Sequence, residues 1–268
     1  MANYAVLDYD GFICKSWYAS FARGDMDDAV NVLNDLVDAS IEKALNYYDG
    51  RLDGIIKIVS GHSWKKDLYE TYKATREKNP YIGAYREALL DVDKDIIKPQ
   101  TLEADELCIM LQDYLFDNGG SCIVFSDDKD LHYTSLIHCK INITEQIDFF
   151  YDERYVLYQM LAGDREDNIT GLNKVGMKTA EKLMKDRPSA IDEVFKIYKD
   201  KKVSKEECIK NINLIIPMMY NFNENKSSFK KVCNTLLKEN KVDEYAVKNC
   251  TQGQLDFLNR KADEIYDK

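Results

Sequence analysis

Up to about residue 163 the chain alternates two kinds of apolar pattern, and beyond that point it keeps only one. "YAVLDYD" (4–10), "GIIKIVSG" (54–61), "SCIVFSDDKD" (121–130) and "SLIHCKINIT" (135–144) are apolar runs of strand length, the first and third ending in aspartates. Between them lie stretches with helical spacing. One covers 25–49 through Val30, Leu33, Leu36, Val37, Ile41, Ala44 and Leu45; others cover 85–92, 101–116 with Thr101 as N-cap, and 152–163. Alternation of this kind predicts an α/β fold with a mostly parallel central sheet and flanking helices. After residue 163 every signal is helical, at 178–186, 188–199, 205–215, 225–240 and 254–266, with no internal repeat and no low-complexity linker. The expected division is therefore 1–163, an α/β core, and 164–268, an all-helical part.

The chain is long enough for one sizeable core, with 268 residues of which 45% are hydrophobic. Seven cysteines, an odd number without a CxxC pair, argue for reduced thiols in a cytoplasmic setting, with neither a disulfide framework nor a zinc site. His62, His132 and His138 show no ligand spacing, and no apolar run is long enough to cross a membrane. A net charge of −10 speaks against a nonspecific nucleic-acid binder, unless many of the acids are gathered to hold cations that offset them.

The positions of the acids favour that exception. Asp8 and Asp10 follow the first strand; Asp127, Asp128 and Asp130 follow "CIVFS". Glu103, Asp105 and Glu106 open a helix, and Asp164 and Asp167 follow a helix that ends at Gly163. An open parallel sheet binds ligands outside the carboxyl ends of its strands. Carboxylates brought together there cannot all stay ionised without counter-charge. Oxygen-only ligands favour two Mg²⁺ or Mn²⁺ ions, which can clamp an in-line displacement at phosphorus. A single acidic pair is more simply a helix cap; four such clusters favour metal. Asp127 is the weakest member and reads equally well as a turn residue.

Directly after the last acids comes "GLNKVGMKTAEKL" (171–183), where Gly171 and Gly176 permit a tight turn and Lys178 and Thr179 open a helix with free N–H groups. From 171 to 187 there are five basic residues against two acidic. Such a hairpin between helices can hold a DNA backbone without reading sequence, with K⁺ on its carbonyls as a bridge to phosphate. "SWKKDLYETYKATREK" (63–78) adds lysines and arginine for phosphate charge, with Lys73 and Arg76 on one helical face, and Trp64, Tyr69 and Tyr72 as rings that could stack on a base or simply pack against the core.

These motifs, in this order, resemble the 5′-nuclease superfamily of flap endonucleases and 5′→3′ exonucleases, most closely the bacteriophage exonucleases. "VLDYDGFICKSW" is similar to their first strand and Asp-Gly-Asp, with Tyr9 in place of glycine; "YKATR" to the base of their helical arch; "LEADEL" to their Glu-x-Asp-Asp helix; "SDDKDL" to their Ser-x-Asp-x-Asp turn. "GDREDNITGLNKVGMKTAEKL" resembles their Gly-Asp-x-x-Asp-Asn block and the helix–three-turn–helix after it, here about 164–187.

The resemblance implies a PIN-like nuclease fold with a helical arch or clamp, two divalent metals, and structure-selective, Mg²⁺-dependent cutting of DNA at 5′ ends, flaps or nicks, with RNA–DNA hybrids as a further substrate. It implies Asp8, Glu103, Asp105, Asp128 and Asp130 as central ligands, and Asp10, Glu106, Asp164 and Asp167 as their complement. Asp8 and Asp128 are the carboxylates most directly tied to catalysis. Lys73 and Arg76 would meet the scissile phosphate, and Tyr72, Gly171, Val175, Gly176, Lys178 and Thr179 the rest of the DNA. It further implies a monomer working in a bacterial host cytoplasm if phage-encoded. Two departures stand out: Ser60 or Gly61 occupies the place of a family aspartate after the second strand, and Glu106 stands where aspartate is usual. The rival from another class is a noncatalytic binder of DNA structures with a degenerate site. A PIN-type ribonuclease would have no use for the hairpin.

Overall fold

The computed structural model of the protein describes residues 2–24, 26–134, 137–142 and 153–268. Five parallel strands form one sheet in the order β3-β2-β1-β4-β5: β1 (Asn3–Asp8), β2 (Gly54–Ile58), β3 (Ile96–Ile97), β4 (Ser121–Phe125) and β5 (His138–Cys139). β1 is central, with Tyr4 opposite both Gly54 and Cys122, and Ala5, Val6 and Leu7 fully buried. Strand order reverses on the two sides of β1, which places a crevice at its carboxyl end.

Side chains alternate across the sheet as the two-residue period requires. Ala5 and Leu7 face α1 (Tyr9–Arg23) and α2 (Ala29–Tyr47) in one apolar cluster. Val6, Ile56 and Ile58 face α5 (Ala104–Asp117) in another. α1 starts without a break after Asp8 and stops at Gly24, whose φ of 73° is the left-handed cap that glycine permits. The expected helix over 85–92 extends back to Pro80 as α4 (Pro80–Val92), because Asn79 caps it: its side chain accepts from Tyr81 N at 3.0 Å, and proline fits the first turn. A short α3 (Trp64–Leu68) and turns over 70–75 precede it.

Thr101 is not the cap of α5. That place belongs to Glu103, in extended backbone, with Ala104 N donating to Ser60 Oγ at 3.0 Å. β5 holds two residues of the run expected over 135–144; 135–136 and 143–144 lie outside the described residues.

α6 (Lys129–Thr134) and α7 (Glu153–Ala162) lead into the helical part: α8 (Met177–Met184), α9 (Ile191–Asp200), α10 (Lys205–Ile215), α11 (Lys226–Glu239) and α12 (Glu244–Tyr266). α12 begins ten residues before the expected 254. Its first half, through Ala246, Val247 and Cys250, packs with α11 and α5 on the sheet; its second half, through Phe257, Leu258 and Ala262, packs with α7, α9 and α10. At 1.5 Å per residue this helix runs about 34 Å and pins the helical part to the sheet. The segments on either side of residue 163 thus share a core.

Candidate metal centre

Four segments bring carboxylates to the carboxyl edge of the sheet. Ser126, buried just past β4, donates from Oγ to Asp8 Oδ2 at 2.6 Å and accepts from Asp128 N at 3.0 Å. Asp128 Oδ1 accepts from Asp130 N at 2.8 Å, and Gln159 of α7 donates to Asp130 Oδ1 at 3.0 Å. One hydrogen-bonded line therefore runs from β1 to α7. The start of α5 contributes Glu103 and Asp105. The loop after α7 contributes Asp164, whose Oδ1 accepts from Glu166 N at 2.8 Å, and Asp167. Asp105, Glu106, Asp130, Asp164 and Asp167 line one cavity with Lys65 and Tyr72.

The crowding shows in the proton affinities. Asp8 is pushed up to about 7, first by withdrawal from water and then by Asp10, Asp128 and Asp127, against the Ser126 hydrogen bond. Asp105 is held well above the ordinary carboxylate range by burial and by Glu103, with Lys73 opposing. Asp130 is pushed up to about 6 by burial and Asp128. Asp167 is raised by burial, which outweighs Lys73 and Arg76. Glu103 goes the other way: burial is overcome by Lys73 and Lys65 and by hydrogen bonds from Lys73 and Tyr72.

Other carboxylates are turned toward protein cations. Lys73 meets Glu103 and lies 3.7 Å from Asp167; Arg76 meets Asp167. Lys73 and Arg76 do not share a helical face as the spacing predicted. They sit in and just after a turn where Lys73 has a φ of 52° and its N–H donates to Asp167 O at 2.9 Å. Asp10 accepts from Arg86 Nε at 2.7 Å and from Ser60 N at 2.6 Å. Glu106, 2% exposed, is 3.2 Å from the Nζ of Lys65 and accepts from Trp64 Nε1. Lys65 also donates to the carbonyls of Leu214 and Ile216 at the end of α10. Asp127 points elsewhere, to Lys15 at 2.8 Å and to Ile141 N.

Trp64 and Tyr72 are buried, and Tyr72 donates to Glu103 Oε2 at 2.8 Å, so neither ring offers a face to a base. Arg86 escaped the sequence reading, and Lys65, read there with its stretch as a residue for phosphate charge, is instead buried against Glu106. Arg86 lies in an ordinary amphipathic helix, and nothing in the spacing of the 63–78 stretch separates Lys65 from its exposed neighbours.

Among the described residues no three His, Cys, Asp or Glu side chains form a group ready to hold an ion. The donor set nevertheless fits a hard divalent cation. Asp8, Asp105 and Asp128 take hydrogen bonds from Ser126 and from backbone N–H groups, and none from a lysine or arginine among the described residues. The raised proton affinities of Asp8 and Asp105 mark negative charge that a cation would offset.

Beyond the acids the chain folds back on itself. Gly163 (φ 74°) and Gly171 (φ 61°) abut, so that a Cβ on either would run into the other's backbone. Asp164 and Ile169 exchange backbone hydrogen bonds of 3.0 and 2.7 Å. Gly176 differs, with extended backbone at the start of α8 and open space where a Cβ would be. It lines an open groove with Lys174 and Val175, while Lys178 and Thr179 are exposed beside it. Val175 also packs inward against the helical core.

No family model matches the chain. A flap endonuclease Xni of Shewanella woodyi is 29% identical over 174 residues, covering 58% of this chain and 68% of that protein. The DNA polymerase I of Borreliella burgdorferi is 31% identical over 142 residues, covering 46% of this chain and 16% of the polymerase, so the likeness there spans a small part of the relative. Among solved structures, the T5 5′-exonuclease with bound zinc shares the fold at a TM-score of 0.58 and 14% identity, covering 99% of this chain and 98% of that one. A bacteriophage T5 flap endonuclease in a pseudo-enzyme–product complex with DNA and metal ions does so at 0.57 and 14%, covering 99% and 100%.

Proposed function

We propose that this chain, a member of the 5′-nuclease superfamily of flap endonucleases and 5′→3′ exonucleases, hydrolyses DNA phosphodiesters at 5′ ends, flaps or nicks with the help of Mg²⁺ or Mn²⁺. The observation that carries the reading is that Asp105, Asp130, Asp164 and Asp167 line one cavity, with Asp8 linked to Asp128 and Asp130 through Ser126. RNA strands in RNA–DNA hybrids belong to the same proposal, since chemistry confined to the phosphodiester does not depend on the sugar. The division at residue 163 is proposed as one of labour, cutting before it and gripping after it, across a shared core. The seven cysteines are thiols in the fold. Among the described residues no helix is long and apolar enough to cross a membrane.

Asp8, Asp105 and Asp128, with Asp130 and Asp164, would hold the cations. Bound divalent cations would supply acidity for the attacking water and neutralise charge at phosphorus. Lys73 and Arg76 hold Glu103 and Asp167 and lie where a scissile phosphate would meet the cluster. Arg76, half exposed, can leave Asp167 for the phosphate. Asp10 and Glu106, held by Arg86 and Lys65, act as anchors that orient the others. At the hairpin, Gly171 and Gly163 permit the tight fold, and the open side of Gly176 lets a DNA backbone approach Lys178 and Thr179.

Asp128→Ala, assayed on a 5′-flap duplex with Mg²⁺, is expected to lose cleavage by about a thousandfold or more, in line with removal of a group that stabilises developing charge. Wild-type cleavage by that variant would reject the assignment. The noncatalytic reading is favoured by one observation, the pairing of five carboxylates, Asp10, Glu103, Glu106, Asp164 and Asp167, with lysine or arginine. Binding in Ca²⁺ without cleavage in Mg²⁺ would establish it.

A further inference from the structure

We infer that Lys65 and Gln254 are positioning residues that set the register between the hairpin and the carboxylates, and so decide which phosphodiester is cut. Lys65, buried in α3, meets three oxygens: Glu106 at 3.2 Å and the carbonyls of Leu214 and Ile216 at 3.3 and 3.2 Å. On one side, Glu106 accepts at Oε2 from Glu103 N in the capping box that opens α5, and so fixes the backbone from which Glu103 and Asp105 project. On the other side lies the end of α10. Ile216 is buried in one apolar cluster with Leu172, Ala180 and Met184 of the hairpin and α8. Leu214 shares another with Ile169, which exchanges backbone hydrogen bonds with Asp164. Gln254, fully buried within α12, donates from Nε2 to Ile216 O at 3.4 Å and to Asn213 Oδ1 at 3.2 Å, while its Oε1 has no partner among the described residues. The end of α10 is thus held by a lysine that also holds Glu106, and by an amide from the helix that spans both parts of the chain.

Stability alone does not account for this arrangement. A buried lysine–carboxylate pair holds a fold together no better than apolar side chains of the same volume, because both charges leave water. What apolar packing lacks is direction: apolar faces can slide over one another, whereas a buried chain of hydrogen bonds is satisfied in one geometry. The slip that matters is small. Successive phosphates of one strand lie about 3.4 Å apart along the duplex axis. A hairpin that holds backbone without reading sequence, displaced by that distance from the acids, presents the neighbouring phosphate to them. The chain from Glu106 through Lys65 and Ile216 to Gln254 crosses the boundary between the two parts and opposes such a slip. The inference rests on the nuclease reading and names the residues that give it a fixed cutting position.

The test is single-turnover cleavage in Mg²⁺ of a 5′-flap duplex labelled at the 3′ end of the flap strand, with product lengths resolved to one nucleotide. Gln254→Leu removes one link without leaving a charge unpaired. Lys65→Met with Glu106→Gln removes the other while keeping the volume of both side chains. The wild type is expected to place most cuts at one phosphodiester. In both variants that share should fall and cuts should appear one nucleotide to either side, with the rate at the original position lowered by about tenfold or more, as a misplacement of the order of 1 Å can do. Affinity for the flap in Ca²⁺ should be unchanged, since both residues are buried away from any DNA. Val247→Ala, fully buried and apolar on the same α12, is the control: its melting temperature should fall while its cuts stay in place. Cuts by both variants in the wild-type distribution, whatever their rate, overturn the register. A wild type that cuts nowhere rejects the nuclease reading, and the register with it.

Discussion

The carboxylates at the sheet edge fall into two groups that look alike in the sequence and are treated in opposite ways by the fold. Asp10, Glu103, Glu106 and Asp167 each face a lysine or arginine: Arg86, Lys73, Lys65 and Arg76. Asp8, Asp105 and Asp128 make no ion pair among the described residues, and Lys73 opposes the charge of Asp105 only from beyond contact distance. The first group has its counter-charge built in, although at Asp167 burial still outweighs Lys73 and Arg76. The second concentrates negative charge that the protein leaves uncompensated, a configuration that costs stability and becomes favourable when a cation arrives. A carboxylate's place after a strand says that it will reach the site; its partner decides whether it braces the fold or waits for metal.

Exchanging one member of each group is the strongest way to break the contrast. Asp105→Asn should lower cleavage by roughly a thousandfold while raising the melting temperature of the metal-free protein, because a buried charge crowded by Glu103 is removed. Asp10→Asn should do the reverse in both respects, with a smaller loss of cleavage and a lower metal-free melting temperature, since Arg86 loses its charged partner. Thermal melts in EDTA beside initial rates in Mg²⁺ check both. Equal behaviour of the two variants would erase the distinction.

The brace between Lys65 and Glu106 comes next. The side chains are 4% and 2% exposed, so solvent screens the pair little. Lys65→Met leaves Glu106 charged with no cation opposite, and should cost about 3–5 kcal/mol in urea denaturation. Lys65→Met with Glu106→Gln should recover most of that loss. If the single variant were as stable as the wild type, Glu106 would be free to turn toward a cation and would belong with Asp105.

The pH dependence of stability sets Asp8 against Glu103, with Asp167 on the side of Asp8 despite its partners. An unfolded aspartate titrates near 3.9, whereas Asp8 is pushed up to about 7 and Asp130 to about 6 in the fold. Between about pH 4 and 7 the folded chain therefore binds more protons than the unfolded one, and metal-free stability should fall as pH rises through that window. Glu103, lowered, has the opposite sign: the stability it contributes is present above the ordinary glutamate value and is lost as pH falls below it. Saturating Mg²⁺ should flatten the decline between pH 4 and 7. Denaturation midpoints across the range, with and without the ion, decide the matter; a metal-free protein that gains stability up to pH 7 would mean that the second group is compensated after all.

The α/β class and the all-helical second part were legible because both rest on periodicity, which local sequence carries. β3, two residues long, and the first half of α12 were not, since Ile96–Ile97 is too short for a period and the stretch around Cys250 through Gln254 carries polar residues whose burial depends on helices far away in the chain. That acids from four segments meet at one edge could be read from their places after strands and at a helix start. Which of them would be paired could not. Arg86 reaches Asp10 from 76 residues away, and Lys65 reaches both Glu106 and the end of α10. Such pairings are products of the fold, with no trace in spacing. The hairpin divides in the same way. Gly171 is demanded by its positive φ and by the backbone of Ala162 and Gly163, whereas nothing inside the chain demands glycine at 176.

The smallest expected effect is the sharpest check on the criterion of partnership. Asp127 and Asp128 are neighbours in sequence after the same strand, and composition or spacing would give them the same role. In the fold, Asp127 turns to Lys15, a pair with side chains 37% and 42% exposed, and its Oδ1 accepts from Ile141 N at 3.0 Å. An exposed pair of this kind contributes about 0.2–1 kcal/mol. Asp127→Asn keeps an oxygen for Ile141 N, so stability should change by no more than the surface pair is worth and cleavage should stay within about twofold of the wild type, an effect of the size that distinguishes a surface substitution from loss of a ligand. Set beside Asp128→Ala, the same assay compares two adjacent aspartates that differ in what they face. If Asp127→Asn lost cleavage as heavily as Asp128→Ala, the partner seen in the fold would be no guide to which carboxylates hold the ions, and the division into braced and waiting groups would have to be abandoned.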